Sequence, residues 1–280
     1  MITAIQGNLI EMKFALNHIV RPQASYHQLL NMAKNLDCVG VEFRNDFAGQ
    51  LLFGGDEPSK VKNAVLKSGV EMLALAEVKM FNRWSDEKAK EAEALMKVAV
   101  AAGSSVVSLI PAIDGVALGK EERQDILRHA LRELKPMLEH YNLVGFVEPL
   151  GFPISSVRYK SEAINAIDAV GADRFKIVHD TFHHALAGGG EIFPDHTGIV
   201  HISGVVDREP AIENLEDAHR VLVDADDRLG NIQQIQQFLD ALWKGVFSFE
   251  PFAAEIHNLD DVEPALKASI EFIKSQLNFN

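Results

Sequence analysis

Short apolar runs alternate with amphipathic runs along the whole chain, and that alternation leaves few folds open. The strand candidates are KFALNHI (13–19), VGVEFR (39–44), EMLALAEV (71–78) and SVVSLIPA (105–112), then LVGFVEP (143–149), FKIVHD (175–180), GIVHISG (198–204) and VFSFEPF (246–252). They are rich in Val, Ile, Leu and Phe and nearly continuous in apolarity, as strands covered on both faces are. Between them, apolar residues recur at helical spacing over 26–36, 59–68, 85–103, 120–140, 160–170, 231–242 and 260–277. In the third of these, Ser85 precedes two acids and Gly103 closes the run, which supplies a start and a stop signal. Strands alternating with helices imply a parallel sheet, and eight units in 280 residues favour closure into a (β/α)8 TIM barrel. No Gly-x-Gly-x-x-Gly follows any strand, so an open dinucleotide-binding sheet lacks its phosphate loop. No linker-like stretch divides the chain, so 1–280 reads as a single domain. The long irregular segment is 204–230, acidic and rich in Asp, of the kind that is usually functional or mobile.

Hydrophobic residues make up 47 % of the chain, enough for a large core, while the formal charge is −13. Phosphate contacts supply most of the affinity of a nucleic-acid binder, and they require a basic face. No Lys/Arg cluster of that kind is present, so neither nucleic acid nor an anionic membrane is an expected partner. The one cysteine, Cys38, precludes an intrachain disulfide, fits a reducing cytoplasm and reads as a small buried side chain before a strand. The opening stretch MITAIQGNLIEMK lacks a basic region followed by a long apolar one, so no secretory signal is expected. No run approaches the ~18 apolar residues of a membrane span.

In a barrel of this kind the active site gathers where the strands end. Strand one ends in Asn17 and His18, strand two carries Glu42 and Arg44, strand three has Glu77, and strand four ends apolar at Pro111. Glu148, Asp180, His201 and Glu250 follow on strands five to eight, one per strand, each in otherwise apolar surroundings. A lone buried carboxylate is costly, and three that converge on one mouth repel one another. A divalent cation removes that problem. Three carboxylates and an imidazole suit Mn²⁺ or Mg²⁺, with Zn²⁺, Co²⁺ and Fe²⁺ also compatible. His179 and Asp180 are neighbours and point to opposite faces of a strand, so Asp180 is assigned to the axis and His179 away from it. His183 stands on the turn after Asp180, placed to lean over the site, while His184 reads as a solvated or packing residue and Gly188 to Gly190 as a turn.

These stretches resemble the xylose isomerase-like TIM barrels, the sugar phosphate isomerase/epimerase family, and within it the inosose (2-keto-myo-inositol) isomerases. The likeness spans essentially the whole chain and rests on FVEPLGFP (146–153), IVHDTFHHALAGG (177–189), VHISGVVD (200–207) and FSFEPF (247–252). It implies metal ligands at Glu148, Asp180, His201 and Glu250, with His183 at the substrate. A family arginine followed by a Pro-Gly-x-Gly turn corresponds here to HRVLVDADDRLGNIQQI (219–235), where Arg220 and Arg228 compete for the role. His18 and Glu77 join His183 and Arg220 as substrate-binding candidates. Trp84 and the Phe81 region either cover the apolar face of a polyol ring or pack in the core.

The resemblance implies a metal-dependent isomerase or epimerase of a keto-polyol or ketose, working in inositol catabolism on 2-keto-myo-inositol as the leading substrate. Glu148 and Glu250 would move the proton through an enediolate. Two other readings remain open: a dehydratase with the same ion and carboxylates, and a non-catalytic sugar-binding barrel. The apurinic-site endonucleases, a more distant relation, need a His-rich trinuclear zinc site and a basic DNA face that this acidic chain lacks. Family members are often dimers or tetramers, so a homo-oligomer is a further expectation.

Overall fold

The computed structural model describes residues 12–277. The opening stretch read for a secretory signal falls mostly in 1–11, outside the described residues.

Eight parallel strands close into a barrel in sequence order: β1 (Lys13–Asn17), β2 (Gly40–Arg44), β3 (Glu71–Lys79), β4 (Val106–Ile110), β5 (Val144–Val147), β6 (Phe175–Asp180), β7 (Thr197–Ile202) and β8 (Val246–Phe249). β1 closes the ring by pairing with β8, Phe14 lying opposite Phe247. The helices are α1 (Tyr26–Asn35), α2 (Pro58–Ser68), α3 (Asp86–Ala102), α4 (Lys120–Tyr141), α5 (Lys160–Val170), α6 (Thr181–Leu186), α7 (Asn231–Asp240), α8 (Ala254–His257) and α9 (Glu263–Gln276). None of the described helices is long and apolar enough to cross a membrane.

Local chemistry sets the helix ends. Ser25 and Gln28 form a capping box at the start of α1, and the Ser85 side chain accepts from the Lys88 amide at the start of α3. Gly103 ends α3 in the left-handed region, with φ 94. Several strands are shorter than their apolar runs. β5 and β8 stop at Val147 and Phe249, so Glu148 and Glu250 stand just past the last ladder residue. β1 stops at Asn17, whose side chain caps a 3-10 turn over His18–Val20.

The main apolar layer lies between strands and helices, and a second cluster of Ala74, Val106, Phe146, Val178 and Ile199 fills the barrel floor. Gly198 is required there: a Cβ at that position would meet the Phe146 ring at 2.4 Å. Because side chains repeat every two residues along a strand, the residue two beyond each floor residue rises into the mouth. Phe146 is followed by Glu148, Val178 by Asp180, and Ile199 by His201. The same step on β8 leads from Ser248 to Glu250, and on β2 from Gly40 through Glu42 to Arg44.

Candidate metal centre

Glu148, Asp180, His201 and Glu250 are all buried, and each offers one ligand atom such that the four atoms lie within 4.8 Å of one another. His201 Nδ1 lies 3.2 Å from Glu250 Oε2 and 3.5 Å from Glu148 Oε1 but makes no hydrogen bond. An orphaned imidazole nitrogen beside convergent carboxylate oxygens is a donor set that could hold a divalent cation.

Charge accounting leads to the same place. Five buried carboxylates meet here, from Glu42, Glu77, Glu148, Asp180 and Glu250, against two buried guanidiniums, from Arg44 and Arg220. Carboxylates ~4 Å apart repel by about 4 kcal/mol at an effective dielectric of 20. A divalent cation would offset most of that excess of three negative charges. Without one, protons do part of that work. Burial lowers the His201 pKa, but Glu250, Glu42 and Glu148 together hold it well above the ordinary value. Burial, with Glu250 nearby, pushes the Glu148 carboxyl up to about 7. Burial also acts to raise Glu250, yet His201, Arg220 and Arg44 hold it well below the usual carboxylate range.

His201 is oriented from behind. Its Nε2 lies 3.1 Å from Glu42 Oε2, and the Ser248 hydroxyl donates to Glu42 Oε1. Glu42 keeps a proton on Nε2, so Nδ1, between Glu148 and Glu250, is the nitrogen that would exchange its proton for a cation. Glu42 comes from β2, across the barrel from β7, and is 1 % exposed.

Arg220, 1 % exposed, donates from Nη2 to Asp180 Oδ2 at 2.6 Å and to Glu250 Oε2 at 2.8 Å, and from Nε to the Ser203 hydroxyl. Its plane lies over Phe252, 4.5 Å from the ring centre. Arg228 instead bonds the carbonyls of Asp207 and Pro210 in the 204–230 segment. Of the two rival arginines, Arg220 is the one at the carboxylates.

The cavity above the four residues measures about 170 Å³. His183 and Glu77 line it, with Arg44, Ser108 and Asp217. The Asp180 side chain accepts from the His183 amide at 2.8 Å and so caps α6, and the His183 ring packs edge-on to Phe152. Burial, against the pull of Arg44, pushes the Glu77 carboxyl up to about 7. His18 does not line this cavity. Its Nε2 bonds the Ala24 carbonyl at 2.8 Å and its ring packs on Phe43 and Phe47: Asn17 takes the axis-facing place at the end of β1, and His18, the next residue, opens a 3-10 turn that points away. The apolar wall is Leu150, Phe152 and Phe252, not Trp84 or Phe81. Met80 turns the chain in the left-handed region, the Phe81 amide is pinned to the Ile110 carbonyl, and the Phe81 ring ends fully buried in the core. Trp84 lies half-buried against that same core.

Three contributors carried too little signal in the sequence to be assigned a role. Arg44 donates to Glu250 Oε1 at 3.0 Å and is clamped by Asp46 through two further bonds. Asn17 donates to the same Glu250 oxygen at 3.0 Å. Both stood out as strand-end polar residues, and the β-strand period was the available clue. Glu42 had the same clue, but nothing in the sequence pairs it with His201.

His179, next to Asp180, points outward as the strand alternation requires. Its Nε2 meets Gln234 Oε1 and its Nδ1 meets Lys160 Nζ, with His184 Nδ1 on the same amine. Gly188, Gly189 and Gly190 all take positive φ and form the turn that ends α6.

Residues 30–276 match the family described as xylose isomerase-like TIM barrel. An inosose isomerase of Bacillus velezensis (strain DSM 23117 / BGSC 10A6 / LMG 26770 / FZB42) is 28 % identical over 217 residues, 72 % of this chain and 74 % of that one. A crystal structure of a xylose isomerase domain-containing protein from Salmonella typhimurium LT2 superposes with a TM-score of 0.87 at 30 % identity, covering 97 % of this chain and all of that one. The IolI protein, solved with a bound zinc atom, has a TM-score of 0.80 at 19 % identity, covering 95 % and 98 % of the two chains, and shares the fold. By the family match across most of its length and by the closed eight-stranded barrel, this chain belongs to the xylose isomerase-like TIM barrel family.

Proposed function

We propose that this protein is a divalent-metal-dependent isomerase or epimerase of a small keto-polyol or ketose, with 2-keto-myo-inositol as the leading substrate. The observation that carries the reading is the convergence of Glu148, Asp180, His201 and Glu250 within 4.8 Å. The residues fit a cation on charge, on donor chemistry and on the orphaned His201 Nδ1. When bound there, a Mn²⁺, Mg²⁺ or Zn²⁺ ion supplies Lewis acidity toward adjacent carbonyl and hydroxyl oxygens. The likeness to an inosose isomerase selects the leading substrate.

The chain's own groups divide the remaining work. Glu250 receives hydrogen bonds from Arg44, Arg220 and Asn17 and stays ionised, ready to accept a proton from carbon. Glu148 receives none of these, sits near neutrality in its proton affinity, and can hold or release a proton at the working pH. Two carboxyls pushed apart in proton affinity by their surroundings make an acid and a base that converge from β5 and β8, three strands apart around one ring. His183 and Arg44 face the cavity as donors for sugar hydroxyls, while Leu150, Phe152 and Phe252 cover an apolar ring face and exclude water.

Incubation with 2-keto-myo-inositol and Mn²⁺ in D₂O tests the reading. We expect an isomeric product of unchanged carbon skeleton that carries carbon-bound deuterium. A product lighter by one water assigns a dehydratase instead. Sugar binding by calorimetry without turnover, across a panel of inososes and ketoses, assigns a binding barrel.

A further inference from the structure

A second cavity, of about 270 Å³, lies beside Asp180, between the end of β5, the start of α5 and the turn after α6. Arg158, Lys160 and His184 line it. Arg158 donates from Nε to the Gly151 carbonyl and from Nη2 to the Leu186 carbonyl, and Lys160 meets only imidazole nitrogens. Among the described residues, neither cation has a carboxylate within salt-bridge distance, in a chain whose net charge is −13. Half-buried cations without counter-ions are expensive.

Proton bookkeeping fixes the direction of the lysine's hydrogen bonds. Gln234 Nε2 donates to the Thr181 and Leu229 carbonyls, so its Oε1 faces His179 as an acceptor. His179 therefore carries its proton on Nε2, and its Nδ1 accepts from Lys160 at 2.8 Å. His184 Nδ1 lies 2.7 Å from the same amine. Two imidazoles hold Nζ in place without neutralising it. Lys160 and Ser161 also open α5, and their amides have no acceptor within the helix. His183, 4 % exposed, lines the same cavity and keeps an unpaired Nδ1.

We propose that this cavity is an oxyanion site, which takes the phosphate or carboxylate group of a small metabolite on Arg158, Lys160 and the first turn of α5. The site is separate from the metal centre, shares its Asp180 and His183 walls, and does not depend on the isomerase reading. Its own acids are few. Asp180 is engaged by Arg220 and by the His183 amide, and Glu191 is exposed at the rim. The lysine behaves as a cation short of a partner: burial lowers its pKa to about 7, with Asp180 and Glu191 acting the other way. A bound anion restores the proton, so binding tightens as pH falls through that range.

Calorimetric titration of sodium sulfate into the full-length protein, before and after metal removal by chelation and dialysis, tests the site. Sulfate stays a dianion throughout the useful pH range. We expect one sulfate per chain in both preparations, and an affinity at least about tenfold weaker in Lys160→Gln and in Arg158→Gln. Wild-type affinity should drop by about three- to tenfold between about pH 6 and about pH 8.5, and Lys160→Gln should flatten that dependence. The charged and titratable groups facing Lys160, namely His179, His184, Asp180 and Glu191, are unchanged in that variant. A parallel titration with acetate ranks carboxylate against tetrahedral anions, and binding of either supports the site. Absence of binding by both anions overturns the proposal. So does an affinity that vanishes with the metal, or one that neither substitution alters.

Discussion

His179 and Asp180 are neighbours on one strand, yet they belong to opposite electrostatic regimes. Asp180 points into the barrel, where five buried carboxylates outnumber two guanidiniums. His179 points the other way, to Lys160 and Gln234, in a cluster whose lysine and imidazoles face no paired carboxylate. The inner region is buried and the outer one half-buried, and they answer desolvation differently. The inner one holds excess negative charge that protons offset only in part, which is the condition for a resident cation. The outer one sheds positive charge: burial and Lys160 take the His184 pKa down to about 4, and burial takes Lys160 down to about 7. A two-residue period thus sets an excess of carboxylates and a cluster of lysine and imidazoles on opposite faces of one strand.

The largest effect is expected from breaking the inner set. Glu148→Gln removes one ligand and the near-neutral proton carrier together. Turnover on the leading substrate should fall by at least ~10³-fold, since general acid–base catalysis alone contributes 10²–10⁴. Elemental analysis should find divalent metal in the wild type and much less in the variant. Full metal content in Glu148→Gln would remove Glu148 from the ligand set.

A smaller loss follows from Glu42→Gln, which touches no ligand atom of the cluster. The amide can turn its own N–H toward His201 and put the ring proton on Nδ1, the nitrogen the cation needs. Metal affinity should weaken by roughly 10–100-fold. Nitrogen NMR of the zinc-loaded protein should show the wild-type His201 protonated at Nε2 alone and bonded to Glu42, a signature that a merely structural carboxylate would not give. Unchanged metal affinity in the variant would leave Glu42 as an ordinary core ion pair.

Most of the barrel was legible because a closed parallel sheet repeats one signal eight times. The ligand set was legible for a related reason: an acid or imidazole two residues past a floor residue such as Phe146, Val178 or Ile199 interrupts an apolar pattern in a way that packing alone does not explain. What stayed hidden depends on closure. Glu42 and His201 are 159 residues apart, and nothing local in either strand announces their bond. Lys160 reads as an ordinary first-turn helix residue until α5 and α6 are brought together. His18 was misleading for the opposite reason. It looked like a strand end, but β1 finishes one residue earlier, and a 3-10 turn sends the ring elsewhere.

The outer region makes a pH prediction of middling size. A lysine with pKa near 7 in the fold and 10.5 when solvated binds fewer protons folded than unfolded between those values. Stability therefore rises with pH across that window, by at most about 1.4 kcal/mol per unit for one proton. Urea denaturation from about pH 7.5 to about pH 9.5 should show this slope in the wild type, and Lys160→Met should reduce it by most of that amount. An unchanged slope would mean that Lys160 keeps its proton in the fold.

The smallest effect should come from His18, which strand position alone would place among the substrate contacts. Its ring is buried beside Phe43 and Phe47, and its one polar bond goes to the Ala24 carbonyl. His18→Gln should cost about 1 kcal/mol of stability, the scale of one hydrogen bond with some packing. It should change kcat/KM less than about twofold. Burial lowers the His18 pKa, with the Ala24 bond acting against it. The unfolded chain therefore binds the extra proton first as pH falls, and the wild type loses some stability below the ordinary imidazole range that the variant keeps. A KM raised tenfold in His18→Gln at unchanged metal content would return His18 to the substrate, and would show that the 3-10 turn after β1 rearranges when the cavity fills.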